Sequence, residues 1–337
     1  MKEITLVTGA SGYIGAQVAD HLLKAGYALK FRSCRSTKAA ELRRKCDSPD
    51  FEIVVVEDLI AGDFSNALKG ISSIVHVASP LVNGSDHVNV AVNGTLNLLK
   101  QAYAMKVYKV VIVGSFGSMF TTVEETCDES RIFRESDWNT WTEEDSRQPG
   151  FRPFFLYTTS KALAERATWK FSESHPEMNI TVLNPPFVYG PMAPRQVISG
   201  LDSTLSTNEM VYCLMAGHMA EYPPWHLPPQ TVDVRDVAEA AVRSLSLPHS
   251  PGQIRRILLA SGSFSWQEAV YHIGTIKPHL KHRLVNQGES CIPEPVTASK
   301  IDTSMAEKLL GMTCFIPWQK SIEDTVNCLL EEERRWT

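Results

Sequence analysis

The sequence predicts an α/β chain: a doubly wound parallel sheet with a smaller, discontinuous lobe. Three observations predict it. Short β-branched, apolar runs recur through the first two thirds of the chain. Stretches of helical periodicity separate them. After Pro191 that alternation weakens into a segment rich in proline and aromatic residues. Strands alternating with helices imply a parallel sheet covered on both faces.

Residues 3–8 (Glu-Ile-Thr-Leu-Val-Thr) open the series as a buried strand. Gly9, Gly12 and Gly15 follow. A helix over 13–25 is expected next, with Ile14, Val18, Leu22 and Ala25 on one face and Gly26 ending it. Strand, glycine turn and helix form the context of a dinucleotide site. The first glycine allows the tight turn, the second the close approach of backbone to pyrophosphate, and the third the packing of helix on strand. The helix N-terminus then faces the phosphates with unpaired N–H groups. Three spaced glycines alone also fit a ligand-free turn; the flanking strand and helix favour the ligand.

Residues 27–33 form the second expected strand. Binders of NAD usually carry an acid near its end, for the ribose 2′-hydroxyl. Here Cys34, Arg35, Ser36, Thr37 and Lys38 follow, with no acid before Glu41. Arg32, Arg35 and Lys38 are therefore candidates to surround a 2′-phosphate, so the expected cofactor is NADP(H). Their plainer alternative is a solvated basic edge.

Further strands are expected at 51–56, 73–77, 109–113 and 179–183, with a helix over 88–105 between. A helix over 156–173 carries Tyr157 and Lys161 four residues apart, on one face. An ammonium beside a phenol favours the phenolate, which suits the pair to acid/base work. The strand at 110–113 ends in Gly114-Ser115. Ser115 is the candidate to bind a substrate oxygen, with Ser118 as the alternative; a plain turn cap is the simpler role.

These residues resemble the extended short-chain dehydrogenase/reductases, and within them the dihydroflavonol-reductase-like branch, which includes fungal aldehyde and ketone reductases. The resemblance runs over nearly the whole chain: residues 8–15, Asp58-Leu59, His76-Val77-Ala78-Ser79-Pro80, Asn93-Gly94-Thr95, residues 157–161, 184–191, 232–238 and 308–311. It implies a Rossmann fold and the catalytic trio Ser115, Tyr157 and Lys161. Tyr157 would donate the proton, Lys161 would support it and hold the nicotinamide ribose, and Ser115 would orient the substrate. It implies cofactor contacts at Gly9, Ser11, Gly12, Tyr13, Ile14 and Gly15. Asp58 and Leu59 would lie beside the adenine, Ala78 and Ser79 over the pyrophosphate and ribose, and Pro185 and Val188 beside the nicotinamide.

The chain also departs from that pattern. Cys34 stands where the family usually has arginine, so Arg32 and Arg35 share the expected task. Gly114 replaces one serine of a common Ser-Ser pair. The segment before Tyr157 lacks the Asn-Trp-Tyr-Cys run of cinnamoyl-CoA reductases, which argues against a CoA thioester.

With 337 residues and 43% hydrophobic content the chain can bury a large core. Net charge −5 gives no reason to expect nucleic acid or an anionic membrane as partner. No apolar stretch approaches the ~18 residues of a membrane span, and no signal pattern opens the chain. Seven scattered cysteines without a Cys-x-x-Cys pair read as reduced thiols of a cytoplasmic protein. No metal is expected, and His76 is expected to pack at a strand end.

The expected division is a cofactor domain of residues 1–191, to which 231–262 return, and a substrate lobe of 192–230 and 263–337. Two long connections are expected to shape an apolar site: 116–156, with Met119, Phe120, Trp138, Trp141, Phe154 and Phe155, and 192–230, with Met192, Tyr212, Met215, Tyr222 and Trp225. The expected reaction is hydride transfer from NADPH to an apolar aldehyde or ketone, by a monomer or homodimer. The rivals are a nucleotide-sugar epimerase or dehydratase with retained cofactor and a non-catalytic NADP sensor.

Overall fold

A computed structural model describes residues 2–33, 36–45, 50–78, 87–194, 196, 198, 205–223, 227–285 and 293–336. The apolar runs become strands β1 (Ile4–Thr8), β2 (Ala28–Ser33), β3 (Phe51–Val55), β4 (Ser73–His76), β5 (Lys109–Val113), β6 (Ile132–Phe133), β7 (Asn179–Asn184), β8 (Phe187–Tyr189), β9 (Gln230–Asp233), β10 (Arg255–Leu258), β11 (Gly262–Ser263) and β12 (Lys300–Ile301). Helices α1 (Tyr13–Lys24), α2 (Ser36–Lys45), α3 (Ser65–Leu68), α4 (His87–Ala104), α5 (Glu143–Ser146) and α6 (Pro153–Glu173) fall between them. Then come α7 (Asn208–Cys213), α8 (Val234–Ser244), α9 (Trp266–Ile276), α10 (Ser304–Leu310) and α11 (Trp318–Trp336).

Seven strands form one sheet in the order β10-β7-β5-β4-β1-β2-β3, every pair parallel. The chain reverses direction across the sheet between β1 and β4. Ligands of open α/β sheets bind at such a switch point, beyond the carboxyl ends of the strands.

Period-two alternation explains why the strands read as continuous apolar runs. Leu6, Ile74, Val110, Ile112, Ile180 and Val182 join one core with Leu98, Leu99 and Phe171 of α4 and α6. Val7, Val75, Val111, Val113, Leu183 and Ile257 face the opposite core, with Val18 and Leu22 of α1 and Val237 and Ala241 of α8. Both faces of the sheet are thus buried, as a doubly wound sheet requires.

Of the residues 231–262 expected to return to the cofactor domain, those of β9 do not join the main sheet. The edge beside β7 is taken by β10, whose Arg255 to Leu258 pair with Thr181 to Asn184. β9 pairs instead with β8 and β11 in a separate three-stranded sheet. Only the following helix, α8, packs on the main sheet, against α1. β6 and β12 form a two-stranded pair.

Four of the residues expected to line a site are core instead. Met119 and Phe120 are buried with Phe116, Phe133 and Leu258. Met192 and Met215 belong to the large core. Apolar side chains in a long connection are as useful for anchoring it as for binding a ligand. Phe154 and Phe155 remain half-buried. Trp225 lies outside the described residues.

Candidate active site

The glycine turn occupies the carboxyl end of β1. Gly9 has φ +74°, a conformation that favours glycine, and a Cβ there would stand 2.9 Å from the Ala78 nitrogen. A Cβ on Gly15 would stand 2.1 Å from the Gly9 carbonyl oxygen. The turn therefore tolerates no larger residue at either position. Gly12 caps α1, its N–H bonding Gly9 O at 2.9 Å; no side chain caps the helix and no acid sits in its first turn. Unpaired N–H groups and the positive dipole end face the cleft there, a cradle that fits a pyrophosphate.

Ser11 is half-buried and Gly12 exposed beside this cradle. Ile14 packs against the core. The Tyr13 side chain turns away from the turn: it is buried, and its hydroxyl donates to Gly190 O at 2.8 Å. Burial pushes its phenol well above the usual range. Only the Tyr13 backbone is left to face the turn.

At the end of β2, Arg32 is buried and donates from Nη2 to the Glu57 carbonyl at 3.0 Å. Arg35 lies outside the described residues. Lys38 falls in α2, with its side chain undescribed. Asp58 is exposed and folds its own turn, Oδ1 accepting from the Ile60 and Ala61 N–H groups. Leu59 is buried beneath Gly94, where a Cβ would stand 3.0 Å from the Leu59 Cβ.

His76, at the end of β4, sits in an ordered chain of hydrogen bonds. Ala78 N–H donates to Thr8 Oγ1 at 3.2 Å, and Thr8 Oγ1 lies 2.7 Å from His76 Nδ1. Thr95 Oγ1 lies 3.5 Å from Nε2 and donates to Ala91 O. The arrangement assigns the proton to Nε2, because Thr8 has its own proton to give to Nδ1. Burial, with Lys161 and Arg32 nearby, pushes the imidazole down to about 3, so His76 stays neutral. Ser79 lies outside the described residues.

Ser115 follows β5 in extended conformation and caps a short 3-10 turn, its Oγ accepting from Gly117 N–H at 3.1 Å. The cap leaves the hydroxyl proton available to a substrate oxygen, so the two roles weighed for Ser115 are compatible. Ser118 is fully buried, its Oγ 2.6 Å from Ser115 O and 2.7 Å from Glu165 Oε2 with one proton to share between them; that burial speaks against the alternative candidate. Gly117 lets the turn lie directly on α6: a Cβ there would stand 2.7 Å from Thr158 Cγ2.

α6 starts with Pro153 in its first turn and runs 21 residues. Tyr157 and Lys161 are both half-buried on it, and the Lys161 Nζ lies 5.6 Å from the centre of the Tyr157 ring. Lys161 also borders a cavity between α4, α6 and the sheet, shared with Leu59, His76, Ala78 and Gly114. Pro185, past the end of β7, accepts from Phe116 N–H at 2.8 Å, one residue from Ser115. Val188 is buried in β8 and pairs with Val232.

Candidates from β1, β4, β5 and α6 thus share one cleft side of the sheet. Sequence reasoning missed a buried cluster behind them: Glu165 and Arg256 form an ion pair of 2.6 Å with side chains 3% and 2% exposed. The adjacent arginines Arg255 and Arg256 that open β10 were the available signal, since the second falls on a buried strand position and such a charge is almost never buried unpaired. Among the described residues no group of three or more His, Cys, Asp or Glu is arranged to hold a metal, and no helix is long and apolar enough to cross a membrane.

Comparison with known proteins places the chain in a family. The family model described as "NAD dependent epimerase/dehydratase family" matches residues 5–258. The ketoreductase azaE of Aspergillus niger is 31% identical over 345 residues, covering 97% of each chain. The NADPH-dependent methylglyoxal reductase GRE2 of Saccharomyces cerevisiae is 29% identical over 352 residues, covering 98% of each. The crystal structure of yeast methylglyoxal/isovaleraldehyde reductase Gre2 complexed with NADPH superposes with a TM-score of 0.82 at 26% identity, covering 98% of this chain and 99% of that one. The chain belongs to the NAD dependent epimerase/dehydratase family, the extended short-chain dehydrogenase/reductases.

Proposed function

We propose that the chain is an NADPH-dependent reductase of apolar aldehydes or ketones, with Tyr157 as proton donor. One observation carries the reading. The uncapped helix N-terminus follows β1 and Ser115 follows β5 at the same carboxyl end of the parallel sheet, and Lys161 lines a cavity with His76, Ala78 and Gly114. The relatives named as NADPH-dependent or carbonyl-acting reductases support it.

In this reading the backbone of residues 9–15 holds the pyrophosphate. Arg32, with Arg35 and Lys38, holds the 2′-phosphate. Asp58 and Leu59 border the adenine, Ala78 and Ser79 the pyrophosphate and ribose, and Pro185 and Val188 the nicotinamide. NADPH supplies the hydride. Ser115 donates a hydrogen bond to the substrate carbonyl oxygen, which draws electrons from the carbon. Tyr157 releases its phenolic proton to that oxygen. The Lys161 ammonium stabilises the phenolate left behind. We place the enzyme in the cytoplasm, as a monomer or homodimer, with residues 192–230 and 263–337 shaping substrate choice.

The test is a spectrophotometric assay of NADPH and NADH consumption over a panel of aldehydes and ketones. Carbonyl-dependent loss of NADPH absorbance is expected, with NADH much slower. A cofactor that survives purification, with no net consumption, would favour the epimerase reading instead. Strong preference for NADH would overturn the 2′-phosphate assignment.

A further inference from the structure

The helix that carries Tyr157 and Lys161 also carries Glu165, one turn further on and almost completely enclosed. Its carboxylate is the meeting point of three elements. Oε1 pairs with Arg256 Nε of β10 at 2.6 Å. Oε2 accepts from Ser118 Oγ at 2.7 Å and from Asn184 Nδ2 of β7 at 2.9 Å. Asn184 Nδ2 also donates to the Ser115 carbonyl at 3.1 Å, and Ser118 Oγ lies 2.6 Å from that same oxygen, its one proton shared between the carbonyl and Glu165. Side-chain bonds to the backbone of the Ser115 turn therefore converge on one oxygen of Glu165.

Arg256 is held just as firmly. Its Nη1 donates to the carbonyls of Glu135 and Asp137, and Nη2 lies 3.3 Å from Ser118 O. The Trp138 ring lies against the guanidinium, 3.8 Å from centroid to Cζ. Two absent side chains make room for the cluster. A Cβ on Gly114 would stand 2.9 Å from Asn184 Nδ2, and one on Gly117 would strike Thr158 of α6. The serine missing at position 114 thus coincides with the space that Asn184 uses.

Burying an ion pair is weak evidence for stability, because desolvation offsets most of the attraction. What the pair does supply is register. It fixes how the Ser115 turn lies on α6, and so how the Ser115 hydroxyl stands relative to Tyr157, four residues before Lys161 and eight before Glu165.

We propose that Glu165 is a positioning residue: held by Arg256, its carboxylate locks the Ser115 turn against the helix that bears Tyr157 and Lys161. This rests on the reductase reading above.

A double-mutant cycle tests it. Glu165→Gln and Ser118→Ala are each made alone and on top of Ser115→Ala. For every variant kcat and KM for the carbonyl substrate, the Kd of NADPH by fluorescence, and the melting temperature are measured. Glu165→Gln is expected to lower kcat at least tenfold while the NADPH Kd stays within twofold. In the Ser115→Ala background the same substitution should cost less than threefold, because the hydroxyl it positions is gone. A general structural defect would instead cost the same factor in both backgrounds, and that result overturns the proposal. So does a Glu165→Gln enzyme with unchanged kcat. If Glu165→Gln does not fold, Ser118→Ala makes the same comparison by deleting one hydroxyl; a smaller kcat loss, absorbed in the Ser115→Ala background, is expected. Unchanged kcat in Ser115→Ala itself would point to failure of the reductase reading rather than of the Glu165 link alone.

Discussion

Asp236 offers a quantitative check on the packing around α8. It lies in the first turn of that helix, 8% exposed, and its Oδ2 accepts the Ile316 N–H at 2.9 Å. Burial pushes its carboxyl up to about 6, with the bond to Ile316 opposing and Asp233 adding to the rise. An unfolded aspartate titrates near ~3.9. The fold therefore binds more protons than the unfolded chain between about pH 4 and pH 6. Stability falls as pH rises through that window, and the full cost is present above about pH 6. A shift of about two units corresponds to about 3 kcal/mol at most. Asp236→Asn keeps an acceptor for Ile316 and removes the buried charge. Denaturant unfolding of both proteins at pH 7.5 should show the variant more stable by up to about 3 kcal/mol. At pH 4 the difference should shrink toward zero. A variant less stable at pH 7.5, or a gain independent of pH, would refute the reasoning.

Other outcomes follow from the cleft. Gly15→Ala would bring a Cβ within 2.1 Å of one backbone oxygen and 2.6 Å of its carbon, neither able to swing aside. The NADPH Kd, by fluorescence titration, should rise at least tenfold, and an unchanged Kd would contradict the cradle. His76, held neutral with its proton on Nε2, should show flat imidazole chemical shifts from pH 5 to pH 8. A midpoint near ~6.5, the ordinary histidine value, would sink that assignment.

Much of the fold was legible in the chain, for a simple reason. Strands buried on both faces are largely apolar and β-branched, so β1, β4, β5 and β7 announce themselves as short runs rich in Val, Ile and Leu. The turn after β1 was equally open to reading, since Gly9 and Gly15 are forced by backbone contacts. Partnerships across long sequence distance were hidden. Nothing local to Gln230–Asp233 says that β10 will claim the main-sheet edge. Tyr13 reads as part of the glycine motif, yet its hydroxyl goes to Gly190, 177 residues away. Met119 and Phe120 look like a substrate lining and prove to be core, because hydrophobicity alone does not distinguish the two uses. The cluster behind the cleft joins Ser118, Glu165, Asn184 and Arg256 from four separate elements. Its sequence trace was the adjacent pair Arg255 and Arg256 at the start of a strand.

The most direct measurement compares Tyr157→Phe with the unaltered enzyme in two assays run side by side. One is steady-state turnover of a carbonyl substrate; the other is NADPH binding by fluorescence. Loss of at least a hundredfold in kcat, with the NADPH Kd within twofold, is the expected result, in line with the ~10²–10⁴-fold that a positioned proton donor contributes. Full turnover by the phenylalanine enzyme would contradict the assignment of the phenol as the acid.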